Sequence, residues 1–400
     1  MRFLRSSSCI SPLAFFFFFF FLVAVIGSTS SNLQQATKYN AMFSFGDSVA
    51  ETGNICVVCS SNSTELDVLT CTHPPYGTTY FGRPSCRWSD GRVVVDFIAQ
   101  SLGLPLLPPS KSKGKDFRRG ANMAITGATA MNFSFYQSLG IEDPVWNHGS
   151  LYMQIQWFTE LIPSLCGTKQ NCKKFLAKSL FQFGGFGGND YNIQLLELGL
   201  TPEQTMKNTP IIVNATVNGI ERLIALGAVH IVVPSILPTG CLPLFLALFV
   251  AGSSSESDFD QYGCLKSYNR LTEHHNSMLR EQVQILQRKY KSTRIMYADY
   301  YSQDSAILLR LAVEQEEGST TSTSPPDLVP RLSGQSLYHG CPVHALRHAS
   351  SHVREGTLLQ ASPAMSEVAR ETSKVKTEDE GHGCSRHVSL GSMLVLHGVW

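Results

Sequence analysis

The stretch Phe43-Ser44-Phe45-Gly46-Asp47-Ser48, continued by residues 49–54 (Val-Ala-Glu-Thr-Gly-Asn), decides the fold of this chain. It begins as an apolar run typical of a buried β-strand and breaks at Gly-Asp-Ser. A strand that ends in a turn of small residues exposes a hydroxyl at the edge of a sheet, where a helix can start behind it. The stretch therefore indicates that Ser48 is a nucleophile placed at the end of the first strand.

Composition sets the class of protein. Four hundred residues, 43% of them hydrophobic, can bury a full core in one large α/β domain or two smaller ones. The net charge of +1 gives no electrostatic footprint for nucleic acid or for an anionic surface. The low charged fraction, 16%, favours a loop-rich extracellular enzyme over a highly charged cytosolic one.

The N-terminus predicts the compartment. Arg2 and Arg5 precede an apolar run over residues 13–26, and small residues follow at 27–31. This order is typical of a secretory signal, and the run is shorter than the roughly twenty residues of a membrane span. We therefore expect a signal peptide at residues 1–30 rather than a signal anchor, with release to the cell exterior or to a vacuole.

Secretion makes disulfides and glycans expected. The spacing favours Cys166 with Cys172 and Cys241 with Cys264 as local pairs, while the other cysteines cannot be paired from sequence. Three sequons predict N-linked glycosylation on surface loops: Asn62, Asn132 and Asn214.

Strand-like and helical patterns alternate as far as residue 299, which predicts a parallel sheet covered by helices on both faces. Strands are expected near residues 43–45, 120–125, 179–183, 229–233 and 294–299. Helices are expected at residues 93–102 (with Ser89 or Asp90 near the N-cap), 150–165, 211–226 and 265–288. Ser48, Gly127 and Asn189 each follow a predicted strand, so we expect them at one edge of the sheet.

Several blocks in this order resemble the plant-type branch of the GDSL esterase/lipase family, within the SGNH hydrolases. Two residues depart from the usual pattern: Glu51 stands where the family has Asp, and Cys86 where it has Gly. The resemblance extends over about residues 40–305. The blocks that carry it are residues 45–54, 75–81, 89–92, 120–129, 187–191, 237–243 and 263–265.

The resemblance implies a three-layer α/β/α fold with a flavodoxin-like parallel sheet, and hydrolysis of carboxylic esters. It makes Ser48 the nucleophile that attacks the ester carbonyl. The oxyanion hole would be the backbone N–H groups of Ser48 and Gly127 and the side-chain amide of Asn189. One such pre-aimed donor can be worth about 3 kcal/mol in the transition state.

The expected organisation has three segments: the signal peptide at 1–30, the hydrolase domain at 38–310 and an atypical tail at 311–400, for which disorder is left open. We expect a monomer without cofactor, metal site, nucleic-acid partner or stable membrane span. The expected partner is a small-molecule ester, which could be an acyl ester, an acetylated sugar or a lipid.

The general base is the part of the machinery that the sequence leaves open. By resemblance it should come from an Asp-x-x-His block forty to sixty residues after the last strand, and no match occurs there. The one match to this spacing is Asp379-Glu380-Gly381-His382. It lies in an acidic segment whose alternative interpretation is a run of solvated charges. Upstream, His230 falls at the wrong end of a strand, and His275 reads as a core-edge residue of the long helix.

Three hypotheses follow from this gap. The chain is an active secreted esterase whose base is Asp379/His382 or another histidine of the tail. Alternatively, it is a catalytically impaired family member with an altered C-terminus, a hypothesis favoured by the change of composition near Glu314. The third hypothesis is a non-catalytic protein that binds esters or lipids and has lost turnover.

Overall fold

A computed structural model describes residues 39–141, 149–249 and 255–304 of the chain. The expected signal peptide and the whole of the expected tail lie outside these residues, and so do Asp379 and His382. No helix among the described residues is long and apolar enough to cross a lipid bilayer.

The core is a five-stranded sheet in which every strand is parallel to its neighbours, in the order β2-β1-β3-β4-β5. The strands are β1 (Met42–Phe45), β2 (Gly120–Asn122), β3 (Leu180–Phe183), β4 (His230–Pro234) and β5 (Arg294–Ala298). The order reverses direction around β1, so the crevice outside the carboxyl ends of β1 and its neighbours is where an open parallel sheet binds ligands. Ser48 follows β1 directly, which places it at this crevice.

Helices connect the strands, and short helices fill the long segment after β1. The α-helices of the described residues are α1 (Asn54–Val58), α2 (Ser63–Asp67), α3 (Thr78–Phe81), α4 (Val94–Ser101), α5 (Phe133–Ser138), α6 (Leu151–Cys166), α7 (Lys169–Leu176), α8 (Gly188–Leu196), α9 (Pro202–Met206), α10 (Thr209–Leu226), α11 (Pro243–Phe249) and α12 (Lys266–Lys289). Single 3₁₀ turns cover Cys59–Ser61, Thr70–Thr72, Thr239–Cys241 and Glu256–Asp258.

Alternate residues of the central strand face two different apolar layers, as the two-residue period of a strand requires. Phe43 and Phe45 contact Phe158 of α6 and belong to the apolar cluster that also contains the buried faces of α10 and α12. Met42 faces the other layer, where it packs with Val95 and Ala99 of α4. The structure is therefore a three-layer α/β/α arrangement, which confirms the predicted fold class.

Most predicted elements occur within one to three residues of their expected bounds, and three details differ. The N-cap of α4 is Val93, not Ser89 or Asp90, because the Asp96 carboxylate accepts the Val93 N–H at 3.1 Å and closes the first turn. Asn214 is exposed as expected but lies within α10 rather than on a loop. His275 is completely buried rather than at the edge of the core.

Candidate active site

One side chain of α6 holds the turn that presents Ser48. Gln154 accepts the N–H of Gly46 at 2.9 Å and donates to the Gly46 carbonyl at 2.8 Å. Gly46 has φ 149°, and a Cβ at this position would lie 2.5 Å from the carbonyl oxygen of Gly184. Two strand ends approach each other closely here, so position 46 requires glycine. The same contacts fix the path of the backbone that leads into Ser48.

A second loop, residues 123–131, is fastened to the first by buried polar side chains. The Glu51 carboxylate accepts the N–H of Ile55 at 2.5 Å and the N–H of Thr126 at 2.7 Å, and the Thr126 hydroxyl also donates to it. Gly127 follows with φ 74°, a left-handed conformation that favours glycine. Glu51 thus ties the turn that carries Gly127 to the segment that carries Ser48.

The third loop reaches the second through two consecutive side chains of α8. Asn189 donates from Nδ2 to the Ala128 carbonyl at 3.0 Å. Asp190, fully buried, accepts the N–H groups of Ala130 at 2.8 Å and Met131 at 3.0 Å. These bonds hold the backbone next to Gly127 against the start of α8, where Asn189 lies.

The first and third loops border one open cavity, whose empty space is about 720 Å³ with its open mouth included. Ser48 and Asn189 both line it, with Asp47 beside the serine. Gly127 is buried but is not one of the lining residues. The apolar part of the lining includes Val49, Ala50, Val94, Val95, Pro234, Ile236, Leu237 and Leu242. A cavity with mostly apolar walls and a few polar groups around a hydroxyl is suited to a small organic ligand.

Two carboxyl groups flank Ser48 in the chain, and both titrate far from their usual range. Burial raises the pKa of Asp47 to about 7, against the opposing effect of the Val49 N–H, which Asp47 Oδ1 accepts at 3.0 Å. Burial likewise raises the pKa of Glu51 to about 7, although the Thr126 and Ile55 donors favour its charged form. The segment around the serine is therefore sensitive to pH near neutrality.

The histidines of the described residues do not line this cavity. His275 is buried beneath the third loop, and its Nδ1 lies 2.8 Å from the Tyr191 hydroxyl. Burial lowers the pKa of His275 to about 3, so the ring is neutral. His230 starts β4, at the amino edge of the sheet and away from Ser48, as expected from the sequence. The titratable side chains among the described lining residues are Asp47 and Tyr300.

The structure brings Ser48 and Asn189 to one cavity and places Gly127 one residue from a partner of Asn189. Sequence reasoning missed the residues that hold this arrangement, which are Gln154, Glu51 as an acceptor, and Asp190. Asp190 and Glu51 lie inside the motif blocks, so their location in the sequence could have identified them as residues of the site. Gln154 lies in α6, 108 residues from its partner Gly46, and no local pattern marks it.

Three disulfides join segments of the described residues. Cys166–Cys172 and Cys241–Cys264 are bonded, which confirms both predicted pairs. A third bond joins Cys56 in α1 to Cys86. Cys86 has φ 56°, and among the described residues it is the non-glycine residue with positive φ.

Comparison with known proteins gives the same assignment as the motif blocks. The family model described as GDSL-like Lipase/Acylhydrolase matches residues 42–325, more than half of the chain. A GDSL esterase/lipase of Arabidopsis thaliana is 38% identical over 283 residues, covering 70% of this chain and 74% of that protein. A second is 37% identical over 288 residues, 72% of this chain and 69% of that protein.

A relative with a more specific name is the sinapine esterase of Brassica napus. It is 37% identical over 282 residues, which cover 68% of this chain and 69% of that protein. The family match and these identities agree with the parallel sheet and with the order of the motif blocks. The chain therefore belongs to the GDSL lipase/acylhydrolase family, a family of carboxylic ester hydrolases.

Proposed function

We propose that the chain is a secreted serine esterase in which Ser48 attacks the carbonyl carbon of a carboxylic ester bound in the cavity. The observation that carries this proposal is that Ser48 and Asn189, from separate loops, line the same cavity. Attack by the serine oxygen forms a tetrahedral intermediate whose former carbonyl oxygen bears negative charge. Loss of the alcohol leaves an acyl-serine, which water then hydrolyses.

In this proposal the oxyanion is stabilised by the N–H groups of Ser48 and Gly127 and by the Asn189 amide. The support is the orientation of Asn189: its Nδ2 donates to the Ala128 carbonyl, and its Oδ1 accepts from Asn192 at 3.3 Å. An amide nitrogen carries two hydrogens, so one remains for a bound oxygen. Because the donors are neutral and held in place, they need no reorganisation as charge develops.

Serine needs a base, and the described lining residues include no imidazole. We propose that the base of an active enzyme comes from the C-terminal residues, with Asp379 and His382 as the candidate pair. The same observation favours the second candidate function, a catalytically impaired family member or a protein that binds esters or lipids without turnover. In that case the cavity and the oxyanion donors would be retained while the proton acceptor is absent.

Export is the second part of the proposal. Three disulfides among the described residues are typical of proteins that fold in an oxidising compartment. Asn62, Asn132 and Asn214 are all exposed, which is compatible with glycosylation at each. The proposed location is the cell exterior or a vacuole, and intact-mass measurement of the protein purified from a plant secretome, before and after glycosidase treatment, tests both claims.

The chemistry is tested with a fluorescent phosphonate probe and a panel of acetyl esters, acetylated sugars, lipid esters and sinapine. We expect the probe to label Ser48, Ser48→Ala to abolish labelling and turnover, and Asn189→Ala to reduce turnover by about 10²-fold or more. His382→Ala should abolish turnover, whereas His352→Ala, a second tail histidine, should not. Ester binding without labelling or turnover would instead establish the non-catalytic alternative.

A further inference from the structure

Exposed apolar side chains form a strip beside the cavity mouth. Val94 lines the cavity and is 42% exposed, and Phe97, three residues later on α4, is 51% exposed. Residues three apart on a helix are neighbours on one face, so the strip leads from the cavity along α4. Tyr80, 52% exposed, extends it. We call Tyr80, Val94 and Phe97 the α4 ledge.

A guanidinium group joins the two rings of the ledge. The Cζ atom of Arg92 lies 4.3 Å from the ring centroid of Tyr80 and 3.9 Å from that of Phe97. Its Nη1 also donates to Gln100 Oε1 at 2.5 Å, one turn further along α4. The ring faces turned toward Arg92 are therefore occupied, and the exposed parts of both rings remain available to another apolar group.

The loop that carries Arg92 is fixed to α4 by a buried ion pair. Arg87 donates from Nε to Asp96 Oδ2 at 2.8 Å and from Nη2 to Oδ1 at 3.0 Å. The geometry is bidentate and the Asp96 side chain is fully buried, so the two segments cannot shift independently. The backbone segments that carry Arg92 and Phe97 are thus held together, which favours a preformed ledge.

The sheet order suggests which half of an ester would reach this ledge. The helix α4 shares an apolar cluster with Met42 of β1 and Leu180 of β3, whereas Tyr300, which also lines the cavity, follows the edge strand β5, two strands further along the sheet. The proposed base follows β5 in the chain, and we propose that it protonates the leaving alcohol at the end of the cavity where Tyr300 lies. The acyl half would then point toward Val94.

We propose that the α4 ledge is an acyl-chain subsite, on which the chain of a medium- or long-chain ester lies after it leaves the cavity. The proposal rests on the proposed ester hydrolysis at Ser48. The occupant is a single apolar acyl chain, because the ledge is continuous with the cavity wall at Val94. An alkyl chain that covered the exposed area of each ring would stabilise the complex, because apolar surface would be removed from water.

The experiment compares kcat/KM for 4-nitrophenyl acetate and 4-nitrophenyl decanoate, each used below the concentration at which it forms micelles. Phe97→Ser should reduce the decanoate value about tenfold and leave the acetate value within about twofold. Phe97→Leu, which keeps an apolar side chain, should restore most of the loss. The matched control is Ile285→Ser on α12. Ile285 is apolar, 38% exposed and not among the residues that line the cavity, so this change should alter neither value.

A binding measurement separates failure of the ledge from failure of the proposed function. In a Ser48→Ala background, Phe97→Ser should weaken binding of a fluorescent decanoyl ester about tenfold, even if the parent protein hydrolyses nothing. An unchanged decanoate-to-acetate ratio with unchanged binding would overturn the proposal. The proposal would also be overturned if Phe97→Ser reduced only the hydrolysis of decyl acetate, which carries its long chain on the alcohol. A third contrary result would be a variant that lost only its binding to phosphatidylcholine vesicles.

Discussion

The hydroxyl of Tyr136 donates a 2.6 Å hydrogen bond to Oδ1 of Asp190, a carboxylate with no solvent exposure. The same carboxylate accepts the N–H groups of Ala130 and Met131, so three donors from one short segment converge on one residue of α8. Because Asn189 precedes it, Asp190 fixes the position of the proposed oxyanion donor relative to the loop that follows Gly127. Asp190 is therefore a positioning residue rather than a catalytic one.

Replacing Asp190 by Asn should disturb this position. The amide nitrogen would face an N–H group or the Tyr136 hydroxyl, which leaves a buried donor unsatisfied at a cost of about 1–3 kcal/mol. We expect Asp190→Asn to slow phosphonate labelling of Ser48 by about 10- to 100-fold, since small displacements of positioned groups have large kinetic effects. Tyr136→Phe, which removes one donor, should have a smaller effect. Normal labelling rates in a destabilised Asp190→Asn protein would contradict a positioning role.

Two adjacent glycines of the third block should respond differently to the same substitution. Gly187 has φ 118°, and a Cβ there would lie 2.6 Å from Cε1 of the buried His275 ring. A Cβ on Gly188 would meet no heavy atom of the described residues within 4 Å, apart from its neighbours along the chain. We expect Gly187→Ala to lower the free energy of unfolding by about 3 kcal/mol and Gly188→Ala to change it by less than about 1 kcal/mol.

Urea unfolding of both alanine variants, followed by far-UV circular dichroism, measures this difference. Equal costs would show that the His275 ring moves away freely. The double variant Gly187→Ala/His275→Ala separates the two causes of strain, because it removes the ring contact and leaves only the unfavourable φ. We expect it to be less destabilised than the sum of its single variants.

Cys86, which is bonded to Cys56, is a second position at which the cost of a left-handed backbone can be measured. The bond closes a loop with a sequence separation of 30, which is worth about 3–4 kcal/mol in the chain-entropy model. Cys56→Ser removes the bond and leaves Cys86 at φ 56°, whereas Cys86→Gly removes both the bond and the strain. We expect Cys86→Gly to be about 1 kcal/mol more stable than Cys56→Ser. Equal stability in urea unfolding would show that the left-handed backbone at Cys86 carries no strain.

The sequence was sufficient to predict the sheet, four of the twelve described α-helices, and the placement of Ser48 and Asn189 after the carboxyl ends of strands. Each rests on a local pattern: an apolar run that ends in glycine and a polar residue at the carboxyl end of a strand. The residues that hold the site could not be found this way, because Gln154 and Gly46 are 108 positions apart and Tyr136 and Asp190 are 54 apart. Such pairs form only when the strands are assembled.

The first residue of α4 shows a second reason for error. Ser89 and Asp90 have the residue types preferred at an N-cap, and both precede the helix. The helix nevertheless starts at Val94, because Asp96 accepts the Val93 N–H and at the same time binds Arg87. A buried ion pair, formed with a residue nine positions away, thus overrides the local preference for a capping side chain.

Glu51 should make stability depend on pH in a direction opposite to that of an ordinary salt-bridged carboxylate. Its pKa is raised by burial to about 7 in the folded chain, from the usual value of 4.5. Between these two pH values the folded state binds more protons than the unfolded state, so the free energy of unfolding falls as pH rises. The loss is on the order of 3 kcal/mol and is complete slightly above pH 7.

Glu51→Gln removes this titration, so the stability of the parent protein relative to the variant should fall between pH 4.5 and 7.5. Asp47, whose pKa is shifted in the same direction, and His275, whose pKa is lowered, are present in both proteins and cancel in the difference. Glu51→Asp, which restores the residue usual in the family, keeps a buried carboxyl group and should retain the pH dependence. Urea unfolding at pH 5 and pH 8 is the measurement, and a difference that stays constant or grows with pH would show that Glu51 is ionised throughout this range.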